Sequence, residues 1–116
     1  MNNTEVVNTA SKYIVKSTGI GSETDEVLVN AETELTGGTN KSTVSLIECF
    51  YLIEGTGTLK ISTDSESDDL ELTGKGKYGL RPGQLKFGND KIFKLTTDSN
   101  VRNYLLVTEF RRESNG

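Results

Sequence analysis

The sequence predicts an all-β fold, a single β-sandwich or small barrel of jelly-roll type with about seven to nine short antiparallel strands. Three observations carry the prediction. Helix formers are sparse, with two Ala against 15 Thr and 10 Ser, and Val, Ile, Phe and Tyr supply much of the rest; Ala favours helices, whereas β-branched and aromatic residues favour strands. Apolar and polar residues alternate with the period of two that a half-buried strand shows. Glycine-rich or Ser/Asp-rich breaks recur between the alternating runs, as turns between strands require.

The elements follow in order. Residues 1–12 are mostly polar, with Val6, Val7 and Ala10 as their internal apolar residues, and read as a flexible N-terminal arm preceding a domain over 13–112, with a flexible tail at 113–116. Tyr13-Ile14-Val15-Lys16 places Tyr13 and Val15 on one face, and Val27-Leu28-Val29 forms the next short strand after a loop from Ser17 to Asp25. Thr36-Gly37-Gly38-Thr39-Asn40 is a turn. The longest strand, Thr43 to Glu54, is apolar on both parities, Val44, Leu46, Phe50 and Leu52 against Ile47, Cys49, Tyr51 and Ile53. Such a strand is covered on both sides or bears a bulge partway. Gly55-Thr56-Gly57 turns it into Thr58–Thr63, with Leu59 and Ile61 inward, and the two runs read as a hairpin. The acidic run Asp64 to Asp69 is a solvated loop before a strand at Leu70–Thr73. Gly74 to Gln84 is rich in breakers and reads as an ordered loop; the last strands are Lys91–Thr97 and Arg102–Arg111.

Composition excludes many chemistries. The chain has no His, so it offers no His general base, no Ser/His or Cys/His dyad and none of the usual His metal sets. Its single thiol, Cys49, closes no intrachain disulfide and reads as a core residue. A net charge of -4 leaves no cationic surplus for phosphates, which argues against a nucleic-acid partner. No run reaches the roughly 18 apolar residues of a membrane helix, and Met1 to Glu5 lacks the basic start of an export signal. We therefore expect no enzymatic activity, no cofactor and no metal.

Three local patterns invite a chemical reading. Gly74-x-Gly76-x-x-Gly79 matches a dinucleotide-binding fingerprint, but that mechanism needs a helix at the third glycine and Leu80-Arg81-Pro82-Gly83 stops one. The glycines instead supply backbone freedom in a tight loop. Asp64 to Asp69 has the oxygens for calcium but lacks the central Gly and distal Glu of a helix-flanked calcium loop. Leu80 to Gln84 invites comparison with the second motif of cupins, yet the metal-binding His of that motif is missing and Pro82 and Gly83 are adjacent.

Glu54-Gly55-Thr56-Gly57-Thr58-Leu59-Lys60-Ile61 followed by Asp68 to Gln84 resembles a family of small virion structural proteins of tailed phages, particularly those of marine bacteria and cyanobacteria. Members of that family run a strand into a Gly-Thr-Gly-Thr turn, then an acidic loop, then a Gly-x-Gly-x-Tyr-Gly-Leu-Arg-Pro stretch and a closing pair of Thr-rich strands. This chain departs from the pattern where members often carry Trp, having Tyr51 and Ser62-Thr63. The resemblance implies a capsid decoration or cement protein on the virion surface, made in the host cytoplasm. The partners it implies are the major capsid protein and neighbouring copies of the chain, in a homo-oligomer.

The residues suit such a role in several places. Val6 and Val7 could pair, within the arm, with a sheet edge on a neighbouring subunit. Tyr78 and Pro82 are further candidate partner contacts, and Arg81, next to Pro82, and Arg111-Arg112 are candidates for charge pairing with an acidic partner. A lectin-like sandwich is the second reading, with Tyr51 and Tyr78 as sugar platforms. A small hydrolase using two carboxylates is the third. With 33% apolar residues the core is thin, so a module stabilised by its assembly is expected.

Overall fold

The structure is a computed structural model that describes residues 1–79 and 86–115. Ten strands run along the described residues: β1 (Asn2–Asn8), β2 (Lys12–Gly19), β3 (Glu26–Asn30), β4 (Ser42–Gly55), β5 (Leu59–Ser62), β6 (Leu70–Leu72), β7 (Lys75–Gly79), β8 (Phe87–Asp90), β9 (Ile92–Thr97) and β10 (Val101–Asn115). They form two antiparallel sheets packed as a β-sandwich. Sheet A has the order β1-β2-β10-β4-β7, with β8 also paired to β4, and sheet B has the order β3-β9-β5-β6.

The alternation read from the sequence decides which face each strand buries. On β10, Tyr104, Leu106, Thr108 and Phe110 are buried while Leu105 and Arg111 are exposed. On β5, Leu59 and Ile61 are fully buried, and on β2 Tyr13, Val15 and Ser17 point inward. The sheets meet through aromatic edges: Phe93 of β9 packs on Phe110 of β10 with ring centroids 5.0 Å apart and on Phe87 of β8 at 6.4 Å. Edge-on packing of this kind adds to the area that the rings remove from water.

The two-sided apolar pattern of β4 comes from a bulge. Glu48 pairs with Glu109 and Leu46 with Phe110, leaving Ile47 as the extra residue. Val44 and Leu46 face the core before it, Cys49 and Ile53 after it. The extra residue moves the inward parity by one place, as a β-bulge does. Phe50 and Leu52 consequently face out of sheet A.

Four expectations are corrected. Thr43–Glu54 and Thr58–Thr63 do not form a hairpin, because β4 belongs to sheet A and β5 to sheet B, where it pairs with β6 and β9. The Gly55-Thr56-Gly57 segment is a corner between the layers. Gly55 has φ +101, and a Cβ on Gly57 would lie 2.5 Å from the Val101 amide nitrogen, so the segment packs directly against the β9–β10 turn. The hairpin partner of β5 is instead β6, with the acidic 64–69 run as its loop.

The second correction concerns Gly74 to Gln84. Lys75–Gly79 is a strand paired with Glu48–Leu52. Glycines weaken a strand but leave its amides free to pair, and the ladder of β4 supplies the partners. Gly76 lies beneath the Tyr51 ring, whose hydroxyl would be 2.8 Å from a Cβ there. The remainder of that expected loop, residues 80–84, lies outside the described residues.

Third, residues 1–12 are not an unpaired arm. β1 pairs with β2 from Asn2↔Thr18 to Asn8↔Tyr13, with a register shift between Glu5 and Val7. Two asparagines fasten it to the rest of the fold. Asn3 donates to the Val27 carbonyl at 3.2 Å and accepts from Ser17 Oγ at 2.6 Å; Asn8 donates to the Glu34 carbonyl at 2.9 Å and accepts from the Thr36 amide at 3.0 Å. A polar segment thus folds by hydrogen bonding where it lacks apolar residues. Fourth, β10 runs on to Asn115 along Ser42–Val44, so residues 113–115 extend the strand instead of forming a tail.

Candidate interaction surface

The outer face of sheet A carries a contiguous group of exposed apolar side chains. The ladders place Leu105 opposite Leu52 and Val107 opposite Phe50 on the central β10–β4 pair. Phe50 is 54% exposed, Leu52 43% and Leu105 36%. Together with Val107 they line a shallow apolar hollow of about 130 Å³. Contiguous exposed apolar surface of this sort is a candidate docking surface.

Charge surrounds the block in a definite pattern. On one flank β7 sets Lys75 opposite Leu52 and Lys77 opposite Phe50, with the Lys77 ammonium 4.8 Å from the Phe50 ring centroid. On the other flank β2 sets Lys16 opposite Val107. Both ends along the strands are acidic: Glu48 faces Glu109 at one, and Glu54 faces Asn103 at the other. Lys77 bridges to Glu48 at 3.2 Å, which leaves Glu109 directly beside a like charge.

Sheet B presents a different outer face. A hollow of about 270 Å³ is lined by Asp25, Ser62, Thr63, Asp64, Ile92 and Lys94, and a second of about 230 Å³ by Thr58, Lys60, Glu71, Thr96, Thr97 and Asp98. Hydroxyls, carboxylates and lysines alternate there with no aromatic platform in either lining. Asp98 is held below the ordinary carboxylate range first by the Thr58 amide, which donates at 2.9 Å, and then by the Asn100 amide. Its charge stabilises the corner beside Gly57.

The acidic 64–69 loop is tied down at one end. Asp90 accepts from the Thr63 hydroxyl and from the Ser65 amide at 2.6 Å, and Glu66 accepts from the Gly88 amide at 3.1 Å. Burial pushes the Asp90 carboxyl up, but hydrogen bonds from Thr63 and Ser65 outweigh it and hold the group below its usual range. These carboxylates serve the β5–β6 and β8–β9 connections. No group of three or more potential ligands able to hold a metal occurs among the described residues.

The residues singled out as partner contacts are scattered. Val6 is 57% exposed in the β1 bulge, and Val7 is half-buried opposite Ile14 on the outer face of sheet A. Tyr78 is half-buried and packs against the core. Arg111 is exposed and pairs with Glu113 at 2.7 Å within its own strand. Arg112 turns inward: its Nη1 donates to the Thr36 carbonyl at 2.8 Å and the Thr9 carbonyl at 3.2 Å, beside a hollow of about 320 Å³. Arg81 and Pro82 lie outside the described residues. Of the two aromatic residues read as sugar platforms, Tyr51 is likewise half-buried against the core. The exposed block at Phe50, Leu52, Leu105 and Val107 was not singled out from sequence. Its signal was present in the second apolar parity of β4, which reads equally well as a doubly covered strand.

Cys49 lies at 0% exposure in the core. Burial pushes its thiol up to about 12, with a hydrogen bond from the Tyr78 backbone acting in the opposite direction. A thiol so placed is an inert core side chain.

No protein-family model matches the chain, and no curated protein matches it. Among solved structures, the chain is similar to a cupin domain from Bordetella pertussis Tohama I, at 11% identity and a TM-score of 0.44, over 97% of this chain and 93% of that one.

Proposed function

We propose that the protein is a structural component of a tailed-phage virion, most specifically a capsid decoration protein that binds the outside of the head lattice and stabilises it through non-covalent contacts. The observation that carries the structural part of this reading is the outer face of sheet A, where Phe50, Leu52, Leu105 and Val107 form an apolar block inside a charged rim. A module that acts by adhesion needs a rigid scaffold with such a face, and the paired β4 and β10 supply one. The phage part rests on the resemblance of the 54–61 and 68–84 segments. Major capsid protein and neighbouring copies of the chain are the proposed partners, at the capsid surface.

The test is addition of purified protein to undecorated heads. Stoichiometric, saturable binding with a higher rupture temperature of the heads is expected; heads that take up no protein would overturn the reading. The polar hollows of sheet B favour a second reading, a carbohydrate-binding sandwich, since hydroxyls and carboxylates at Thr58, Thr96, Glu71 and Asp98 can pair with sugar hydroxyls. Selective binding on a glycan array, lost in Glu71→Ala, would place that reading first.

A further inference from the structure

We propose that the outer face of sheet A is the interface of a two-fold dimer in which the strands of the two copies cross at close to a right angle. It rests on the same face as the proposed function and deepens that reading, naming a second copy of the chain, one of the two partners proposed above, as what covers Phe50, Leu52, Leu105 and Val107. The apolar block is compact in both directions, two strands wide at a spacing of about 4.8 Å and two outward residues long at a spacing of about 6.8 Å, from Leu105 and Leu52 to Val107 and Phe50. Its flanks across the strands are cationic, with Lys16 on β2 and Lys75 and Lys77 on β7. Its ends along the strands are acidic, with Glu48 and Glu109 at one and Glu54 at the other.

That pattern selects the occupant and its orientation. A two-fold axis along or across the strands sets flank against flank and end against end, lysine on lysine and glutamate on glutamate. An axis on the diagonal sets each lysine flank over an acidic end of the partner and keeps apolar block on apolar block. Sheets packed face to face occur in aligned and orthogonal classes, and only the orthogonal class satisfies the charges here. Two features of the isolated chain point the same way. Glu109 sits directly opposite Glu48 and, unlike Glu48, which bridges to Lys77, makes no ion pair among the described residues, so a lysine from a second copy would supply one. Among the described residues, Lys16 and Lys75 make no ion pair.

The dimensions are adequate for a modest interface. Five strands spaced at about 4.8 Å give a face roughly 24 Å wide, and seven paired residues at about 3.4 Å give a similar length. A square of that size is about 570 Å² of plane per copy before side-chain relief is added, toward the smaller end of specific interfaces. A dimer that dissociates on dilution is expected.

Sedimentation equilibrium over a concentration series tests this. The wild-type chain is expected to show a monomer–dimer equilibrium, and Leu52→Glu with Leu105→Glu is expected to be monomeric. Lys16→Glu with Lys75→Glu, and separately Glu54→Lys with Glu109→Lys, should each raise the dimer Kd by at least about tenfold, because flank and end then carry like charge. One chain bearing all four reversals should return to the wild-type Kd. In an aligned dimer neither pair of reversals alone would weaken association, so that outcome overturns the crossed arrangement. A wild-type chain that is monomeric at millimolar concentration, or a Leu52→Glu/Leu105→Glu chain that still dimerises, overturns the interface itself. Melting temperatures of the monomeric variants equal to that of the wild type, all measured at a concentration where the wild type is monomeric, show that they fold. Binding to heads is measured separately, so loss of dimers and failure of the virion role are distinguishable.

Discussion

The Asp90 carboxylate accepts a hydrogen bond from the Ser65 amide at 2.6 Å, joining the acidic β5–β6 loop to the β8–β9 turn across 25 residues of chain. Thr63 donates to the same carboxylate, so one charged group organises two connections. Substituting Asp90 by Asn keeps the shape and removes the charge that strengthens both bonds. A loss of about 1–2 kcal/mol is expected, measured by urea unfolding.

Acid unfolding should report the same group. Its carboxyl lies below the ordinary value in the folded chain, so its contribution is fully present above the unfolded value of about 4 and is lost as pH falls through the lower folded value. Wild-type stability is expected to decline below about pH 4, more steeply than that of Asp90→Asn. Unfolding curves at stepped pH check the difference in slope.

At the alkaline end Tyr13 and Tyr104 dominate. Burial raises both phenols well above their ordinary value; for Tyr104 the hydrogen bond to the Glu23 carboxylate raises it further, and for Tyr13 the nearby Glu34 does so. A raised phenol contributes stability that is complete below the unfolded value of about 10 and lost as pH rises above it. Unfolding followed by circular dichroism should therefore begin near pH 10 and coincide with phenolate absorbance from these two residues. Tyr104→Phe should flatten the alkaline limb.

Cys49 should be silent toward thiol reagents in the native protein and should react fully after denaturation. Burial removes access and pushes the thiol up to about 12, so both steric and acid–base factors act together. Labelling of the native chain at a rate matching a free thiol would contradict the burial of this strand face.

Phe110 and Phe50 lie on opposite faces of sheet A and should separate core from surface. Phe110 is fully buried against Phe93, and Phe110→Ala is expected to cost about 3–5 kcal/mol through lost transfer energy and the cavity left behind. Phe50 is 54% exposed, and Phe50→Ala should change monomer stability by less than about 1 kcal/mol. Thermal unfolding at a concentration low enough to keep the chain monomeric makes the comparison.

The sequence by itself determined the class of the fold and the inward face of most strands. Period-two alternation is local, so Tyr13 and Val15, Leu59 and Ile61, and Tyr104 to Phe110 disclose their common face without any partner. What a strand pairs with is a property of two segments, and there the sequence was silent. Gly55-Thr56-Gly57 has the composition of a hairpin turn and of a corner between sheets, and only the packing of Gly57 against Val101 and Asp98 decides between them. β1 and β7 have too few apolar residues to announce themselves, because their order comes from the ladders that β2 and β4 supply and, for β1, from its own Asn3 and Asn8 donating to the Val27 and Glu34 carbonyls. The apolar face of sheet A is the clearest case. Sequence records that β4 is apolar on both parities, but the bulge at Ile47 and the lack of any layer over Phe50 and Leu52 are tertiary facts. The compact block with lysine flanks and acidic ends exists only once β2, β10, β4 and β7 lie side by side, since charge complementarity depends on distances between residues that are far apart along the chain.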